Sequence, residues 1–391
     1  MKKVGILSMQ RIINYGSFLQ AYGLKKVIAS INPNLDIIFV DYRAGKPLVE
    51  SKEESDNKIV RIVAKGKKYL GQNNVTMVDK IKFIKFKYNY QKKYLPEIGV
   101  KSTKNYKTSD LDLLVIGSDE VFNCVQSNSR VGFTRTLFGY NTDAKRLISY
   151  AASFGNTNLD KIEHFNLGGL LTHDLKKFDA MSVRDLNSQK IIENLTGKSV
   201  NVNIDPVLAY NFWGQCTLIP KERMYKEKYI VVYGYSGRFS QRENKEIQKY
   251  AQKVGCRILT FGGLQACEDE FIDCSPFELL AYFRDAEFVI TDTFHGTIFS
   301  LISHTPFITV VRKSEDGGYG NEEKLTSLLN LFHLKSRITY LLDKDSIKKI
   351  SSNKIEFKTF DEILKVERQK TIDYLNYSYF SLKDYFLLLS C

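Results

Sequence analysis

EFVITDTFHGTIFSLI, residues 287–302, is the stretch of sequence that decides the fold. An apolar run typical of a buried strand ends at Ile290, a polar turn follows, and an apolar run typical of a helix begins. Open α/β sheets bind their ligands at such joins. The turn contains His295, one of only five histidines, next to Gly296. Because free amides at a helix start attract anions, the turn predicts a phosphate or carboxylate pocket beside a titratable group.

Strand and helix patterns alternate along almost the whole chain, which favours parallel sheets covered by helices. We predict two similar α/β lobes that face a cleft. The first spans residues 1–215 and carries a basic helical insertion at about 58–107, with helices near 58–70 and 77–94. The second spans residues 216–391, and its terminal helices are candidates to pack back on the first lobe.

Composition excludes several classes of protein. At 391 residues the chain suits two domains, and its 43% hydrophobic content is that of a globular protein. The six cysteines are scattered without a CxxC pair, so we interpret them as reduced thiols and expect no metal site. The sequence shows neither a secretory signal peptide nor an apolar run of about 18 residues. These features predict a cytoplasmic protein that does not span a membrane.

The net charge of +13 is concentrated in one segment. Residues 58–107 contain fourteen basic and two acidic residues, including the stretch IKFIKFKYNY at 81–90. One interpretation is a helix that binds the anionic inner surface of the cell membrane. The aromatic stretch 374–391 could contribute to this binding. The other is a solvated charged face with an aromatic stripe facing the core. The positive charge would also suit nucleic-acid binding, but the sequence contains no recognisable nucleic-acid-binding module, so we do not expect a nucleic-acid partner.

Small and polar residues follow several predicted strands. Each segment alone is typical of a helix cap or a turn. Together they favour one shared site, because the carboxyl ends of parallel strands meet at one edge of a sheet. The segments are NYGSFLQAY (14–22), IGSDEVFN (116–123), SYAASFG (149–155), SVRD (182–185), DPVL (205–208) and TDTFHGT (291–297).

In order and spacing these six segments resemble the polysaccharide pyruvyl transferases, over roughly residues 1–340. The resemblance implies two Rossmann-like domains similar to the GT-B glycosyltransferase fold. It also implies transfer of pyruvate from phosphoenolpyruvate onto two sugar hydroxyls, which gives a cyclic ketal without a cofactor. The implied acceptor is a lipid-linked oligosaccharide, the repeat unit of a capsular polysaccharide or exopolysaccharide.

Two residues are our candidates for the acid–base chemistry of this reaction, His295 as the acid and Asp119 as the base. The alternatives are a hydrogen-bonded structural histidine and a turn cap. Arg184 offers a fork for a carboxylate or phosphate, or forms a structural ion pair with an acid. The predicted substrate-binding residues are Asn14, Gly16, Ser118, Arg184, Asp292, Thr293, Gly296, Thr297, Arg312 and Lys324.

Two positions depart from the pattern of the family. Thr293 stands where some members carry arginine, so the donor anion would be held by other cations such as Arg184 or Arg312. Lys324 stands where many members carry another arginine, and lysine offers a point charge in place of a bidentate fork. These departures keep two rival functions open. One is a GT-B glycosyltransferase that binds a nucleotide-sugar in the second lobe, and the other is a catalytically inactive homologue that acts in polysaccharide assembly.

Overall fold

The computed structural model describes residues 2–49, 75–313 and 321–379. Twelve short strands in this part of the chain form parallel ladders. The strands are β1 (Lys3–Leu7), β2 (Asp36–Val40), β3 (Leu113–Gly117), β4 (Leu147–Tyr150), β5 (Ser182–Val183), β6 (Asn201–Val202), β7 (Tyr229–Tyr233), β8 (Arg257–Phe261), β9 (Glu270–Phe271), β10 (Phe288–Thr291), β11 (Phe307–Val310) and β12 (Ile338–Thr339). They divide between two lobes, with β1–β6 in the first and β7–β12 in the second.

Helices connect these strands and cover the sheets. The α-helices of the described residues are α1 (Tyr15–Ile31), α2 (Met77–Tyr94), α3 (Leu159–His164), α4 (Gly168–Leu175), α5 (Leu186–Thr196), α6 (Pro206–Ala209), α7 (Phe212–Gln215), α8 (Gln241–Val254), α9 (Pro276–Arg284), α10 (Phe294–Ile302), α11 (Glu322–Leu331), α12 (Lys344–Ser351) and α13 (Phe357–Tyr379). The predicted helix at 77–94 is α2, and the one predicted near 58–70 lies outside the described residues.

Strand order defines two Rossmann-like domains. The first sheet runs β2-β1-β3-β4, and a bridge from Ala152 to Val183 continues it towards the parallel pair β5–β6. The second runs β9-β8-β7-β10-β11-β12, which is the doubly wound order of dinucleotide-binding folds. All named strand pairs are parallel. The predicted α/β fold with two Rossmann-like domains is therefore confirmed.

The apolar runs form strands that are covered on both faces. All five residues of β7, YIVVY, are buried, as are all four of β10. Continuous apolar sequence is typical of parallel strands between two helical layers. Helix α8 shows the complementary pattern, because Ile247 and Ala251 face the sheet while a capping box of Ser240 and Glu243 fixes its start.

Two helices pack against the lobe to which they do not belong by sequence. The ring of Phe271 in β9 contacts Phe83 and Phe86 of α2, with centroid distances of 5.4 and 6.0 Å. In the other direction, the Tyr374 hydroxyl of α13 donates to the Ser149 carbonyl of β4 at 2.6 Å. One continuous hydrophobic core consequently joins the lobes. The predicted domain boundary at residue 215 stays a prediction.

Candidate active site

A cavity of about 170 Å³ lies between the lobes, where β1, β3, β7 and β10 end. This is the edge at which open parallel sheets place their ligands. Its apolar walls include Phe86 of α2 and Phe294 of α10. The polar side chains that line it include Asn14, Ser17, Asp119, Glu120, Arg184, Thr293, His295 and Lys324.

His295 lies in the first turn of α10 and is fixed from two sides. Its Nε2 lies 3.5 Å from Oδ2 of Asp205, whose side chain is completely buried. On the other side, a Cβ added to Gly16 would come within 2.1 Å of His295 Nδ1, so only glycine leaves room for the ring. Burial alone would raise the pKa of Asp205, but the charges of His295 and Arg184 lower it below the usual value.

Arg184 is the centre of a buried charge cluster. Its Nη1 donates to Asp205 Oδ2 at 2.9 Å, and its Nη2 lies 3.5 Å from Asp119 Oδ1. The guanidinium also lies 4.4 Å from the centre of the Phe294 ring. Because its side chain is only 2% exposed, Arg184 mainly holds two carboxylates in place. Of the two roles expected for Arg184, this geometry is that of a structural ion pair with an acid and not that of a free guanidinium that binds a substrate anion.

Asp119 follows β3 on a strained turn. Its φ of 69° lies in the left-handed region that favours glycine. The carboxylate accepts a hydrogen bond from the Ser17 hydroxyl at 2.7 Å and one from the Glu120 amide at 2.9 Å. The turn therefore aims the Asp119 carboxylate at the start of α1, in the wall of the cavity.

Lys324 connects the lobes through Glu120. The Lys324 Nζ in the first turn of α11 donates to Glu120 Oε1 at 2.7 Å, and the Asn123 amide donates to the other oxygen at 2.9 Å. Burial would raise the pKa of Glu120, but the Lys324 charge and these hydrogen bonds outweigh it and lower the pKa to about 2. Glu120 is thus a carboxylate at neutral pH, and it forms an ion pair with Lys324 that spans the two lobes.

Asn14 and Thr293 combine a capping role with a place in the cavity wall. Asn14 Oδ1 accepts from the Gly16 amide at 2.7 Å, and Asn14 Nδ2 donates to the Tyr235 hydroxyl of the second lobe at 3.0 Å. Thr293 Oγ1 accepts from the Gly296 amide at 2.9 Å and so caps α10. The amide of Gly296 is therefore already hydrogen-bonded to a side chain of the protein.

Six predicted substrate-binding residues lie outside the lining formed by the described residues. They are Gly16, Ser118, Asp292, Gly296, Thr297 and Arg312. Several hold the loops of the site, since Ser118 Oγ donates to the Ala151 carbonyl at 2.8 Å and Thr297 Oγ1 donates to the Thr293 carbonyl at 3.0 Å. Gly16 acts through its contact with the ring of His295.

Asp292 and Arg312 belong to a second charge cluster behind the turn. Asp292 is completely buried, and its Oδ2 lies 3.5 Å from Arg238 Nε and 3.7 Å from Arg312 Nε. Burial raises the pKa of Asp292 despite these two cations. Arg312 also donates to Glu243 at 2.6 Å. Two arginines and two acids therefore balance one another there.

Sequence reasoning missed Ser17, Glu120 and Asp205 as site residues, although all three lie within the quoted segments. Glu120 directly follows Asp119, and its pairing with Lys324 joins chain segments 204 positions apart, which sequence does not show. Arg238 carried no signal, since it lies in the loop after β7 without a motif. Only the fold brings it to Asp292.

No group of three or more His, Cys, Asp or Glu side chains that could hold a metal ion is found in residues 2–49, 75–313 and 321–379. Across the same residues, every helix is too short or too polar to cross a bilayer.

The fold and the cavity define a GT-B-like protein, with two Rossmann-like domains and a polar site between them. A family model, polysaccharide pyruvyl transferase, matches residues 14–314, which is most of the chain. The chain therefore belongs to the polysaccharide pyruvyl transferase family. Membership supports a transferase enzyme that modifies polysaccharides.

Comparison with other proteins adds distant structural similarity. None of the curated proteins matches the sequence. The chain is similar to the structure of S. aureus MnaA with UDP, at 10% identity and a TM-score of 0.47, over 97% of this chain and 91% of that one. It is similar to the UDP-GlcNAc 2-epimerase of Neisseria meningitidis bound to UDP-GlcNAc, at 9% identity and a TM-score of 0.46, over 100% of both chains.

Proposed function

We propose that this protein transfers pyruvate from phosphoenolpyruvate onto two hydroxyls of a sugar in a capsular or exopolysaccharide repeat unit, forming a cyclic ketal. The acceptor in this proposal is a lipid-linked oligosaccharide. Family membership supports the reaction class. The observation that carries the proposal is the histidine held between Gly16 and Asp205 in the wall of a cavity that also contains Asp119.

The proposed reaction needs one acid and one base. His295 protonates the methylene carbon of phosphoenolpyruvate, which builds positive character on the central carbon. A sugar hydroxyl attacks that carbon as Asp119 removes its proton. The second hydroxyl then closes the ketal as the C–O bond to phosphate breaks, and its proton leaves with the phosphate. Asp119 releases the first proton to solvent, and His295 takes one up, which restores both groups. Each acceptor oxygen loses one proton, the methylene becomes a methyl group, and no oxidant or metal is needed.

Asp205 and Arg184 serve in this proposal as positioning residues. Asp205 lies 3.5 Å from the Nε2 of His295 and so orients the ring. Arg184 fixes Asp205 and Asp119 relative to each other, because it lies within 3.5 Å of both carboxylates. These charged side chains already pair with one another in the absence of the donor. The acid and the base are therefore positioned before phosphoenolpyruvate binds.

Lys324 is the cation that we assign to the donor. Its side chain is 14% exposed, whereas that of Arg184 is 2% exposed. An incoming phosphate or carboxylate can share Lys324 with Glu120 or displace it. The positive end of the α10 dipole adds to the attraction for an anion. Lysine presents a point charge, so it can follow the phosphate as it leaves.

The test is incubation of the purified protein with phosphoenolpyruvate and a lipid-linked glycan extract. We expect acceptor-dependent phosphate release together with a glycan whose mass increases by one pyruvyl ketal. His295→Asn should abolish both signals, whereas His333→Asn, at an exposed position with a φ of 58° that asparagine tolerates, should abolish neither. Absence of phosphate release across a broad acceptor panel would refute the proposal. Incorporation of a sugar from a nucleotide-sugar instead would assign the glycosyltransferase activity.

A further inference from the structure

Helix α2 has two different apolar faces. Its inner face carries Phe83, Phe86, Tyr90 and Tyr94, all buried in the core that joins the lobes. Its outer face exposes five large side chains to solvent. They are Met77 (58% exposed), Val78 (62%), Ile81 (61%), Ile84 (47%) and Tyr88 (87%).

The outer residues form a stripe along one side of the helix. Met77, Ile81, Ile84 and Tyr88 are separated by four, three and four positions, the spacing that aligns side chains on one helical face. Tyr88 is the most exposed large hydrophobic side chain of the described residues. Scattered exposed apolar residues are normal in a soluble protein, but a contiguous stripe marks an interaction surface.

The charged side chains of α2 next to this stripe are lysines, one of which, Lys85, lies near the Asp273 carboxylate of the second lobe. Lys85 and Lys92 are exposed on α2. Lys82 is directed to the second lobe, where its Nζ lies 2.9 Å from Glu270. Asp79, the acidic residue of α2, is turned inward and accepts from the Phe271 amide at 3.2 Å. The exposed side of α2 thus combines apolar side chains with lysines and presents no carboxylate of its own.

We propose that the outer face of α2, defined as Met77, Val78, Ile81, Ile84, Tyr88, Lys85 and Lys92, binds the surface of an anionic membrane. The apolar side chains enter the boundary between headgroups and acyl chains, and the lysines contact anionic headgroups. A second copy of the chain is a poorer occupant, because a symmetric contact would bring lysines against lysines.

The inference adds a location to the proposed function and rests on that function only for the nature of the acceptor. Phe86, on the inner face of α2, lines the cavity, so the helix that meets the membrane is also a wall of the site. A lipid-linked sugar could then reach the cavity without leaving the membrane surface. Membrane binding itself is measurable without donor or acceptor, so its failure and the failure of pyruvyl transfer are separate results.

The experiment is co-sedimentation of the full chain with vesicles of phosphatidylcholine, with and without phosphatidylglycerol. We expect binding to the anionic vesicles, weakened by salt. Ile81→Ser with Tyr88→Ser should reduce binding at least tenfold, since both apolar anchors are lost. Lys85→Glu with Lys92→Glu should also reduce it at least tenfold, from about fivefold for each lysine removed.

Matched controls change residues of similar exposure on other surfaces. Leu218→Ser with Val366→Ser replaces apolar side chains that are 51% and 54% exposed. Lys358→Glu with Lys365→Glu reverses two exposed charges on α13. Neither pair should change vesicle binding, and the melting temperature of every variant verifies folding. Unchanged binding of both α2 variants would overturn the inference, and so would equal binding to neutral and anionic vesicles. A monomer–dimer equilibrium abolished by Ile81→Ser with Tyr88→Ser would assign the stripe to a second copy and would overturn it too.

Discussion

Gly16→Ala adds a single methyl group next to His295, the proposed acid, without changing a residue that lines the cavity. The added methyl carbon would lie 2.1 Å from Nδ1, 2.3 Å from Cγ and 2.7 Å from Cβ of His295. Carbon atoms in ordinary contact are about 3.5–4.0 Å apart, so the ring must move by roughly 1.5 Å. That movement changes the position of His295 relative to Asp205 Oδ2, from which its Nε2 now lies 3.5 Å.

The expected effect is much larger on turnover than on stability. Overpacking costs about 1–3 kcal/mol, while alanine in place of glycine near the start of α1 returns up to about 1 kcal/mol. A misplacement of about 1 Å at a reacting group costs about a hundredfold in rate. We therefore expect a net loss of about 1–2 kcal/mol in the free energy of unfolding and about a hundredfold lower kcat.

Three measurements separate these effects. Urea denaturation gives the stability, the phosphate-release assay gives kcat, and the NMR signals of labelled histidine report the position of His295 without any substrate. Gly169→Ala in α4 is the matched control, because its methyl group meets no atom within 4 Å. It should keep full activity and leave the His295 signals in place. Unshifted His295 signals in Gly16→Ala would refute the packing argument whatever the activity shows.

Three further changes test the charges and the cap around the site. Asp205→Asn leaves the buried Arg184 with weaker compensation and should cost about 3 kcal/mol in urea denaturation. The folded-state pKa of Glu120, about 2, is below the ordinary value of 4.5, so its contribution to stability is present above about pH 4.5 and is lost as pH falls towards 2. Lys324→Met removes the charge that contributes most to lowering the pKa of Glu120. The free energy of unfolding of this variant should therefore fall less between pH 4.5 and 2 than that of the unchanged protein. Thr293→Val removes the cap of α10 and should cost about 1 kcal/mol in thermal unfolding, whereas Thr293→Ser should cost little.

The sequence predicted the architecture well wherever a strand is a continuous apolar run. The apolar run that ends at Ile290 predicts a buried strand before the turn, and β10 is that strand. The two-residue strands β9 and β12 were missed, because periodicity carries no signal over two positions. Register was not predicted for either sheet, since uniformly apolar strands show no alternation to fix it.

The composition of the site was less predictable than its position. The turn around His295 does lie at a strand end in the cavity wall. Its neighbour Asp205 looked like a turn residue, and its pairing with Arg184 requires two chain segments to meet in three dimensions. On α2, lysines and aromatics alternate so closely that sequence could not separate the buried Phe83 from the exposed Tyr88. That separation depends on β9, which the helix covers.

The exchange of helices between the lobes has a mechanical consequence. Helix α2 leaves the first lobe to cover β9, and α13 returns from the second lobe to β4, so two helices join the lobes. These contacts therefore oppose separation of the two lobes. Because one core runs through both, we expect a single calorimetric unfolding transition, with equal calorimetric and van't Hoff enthalpies. Two resolved transitions would mean that each lobe melts independently and that these contacts contribute little.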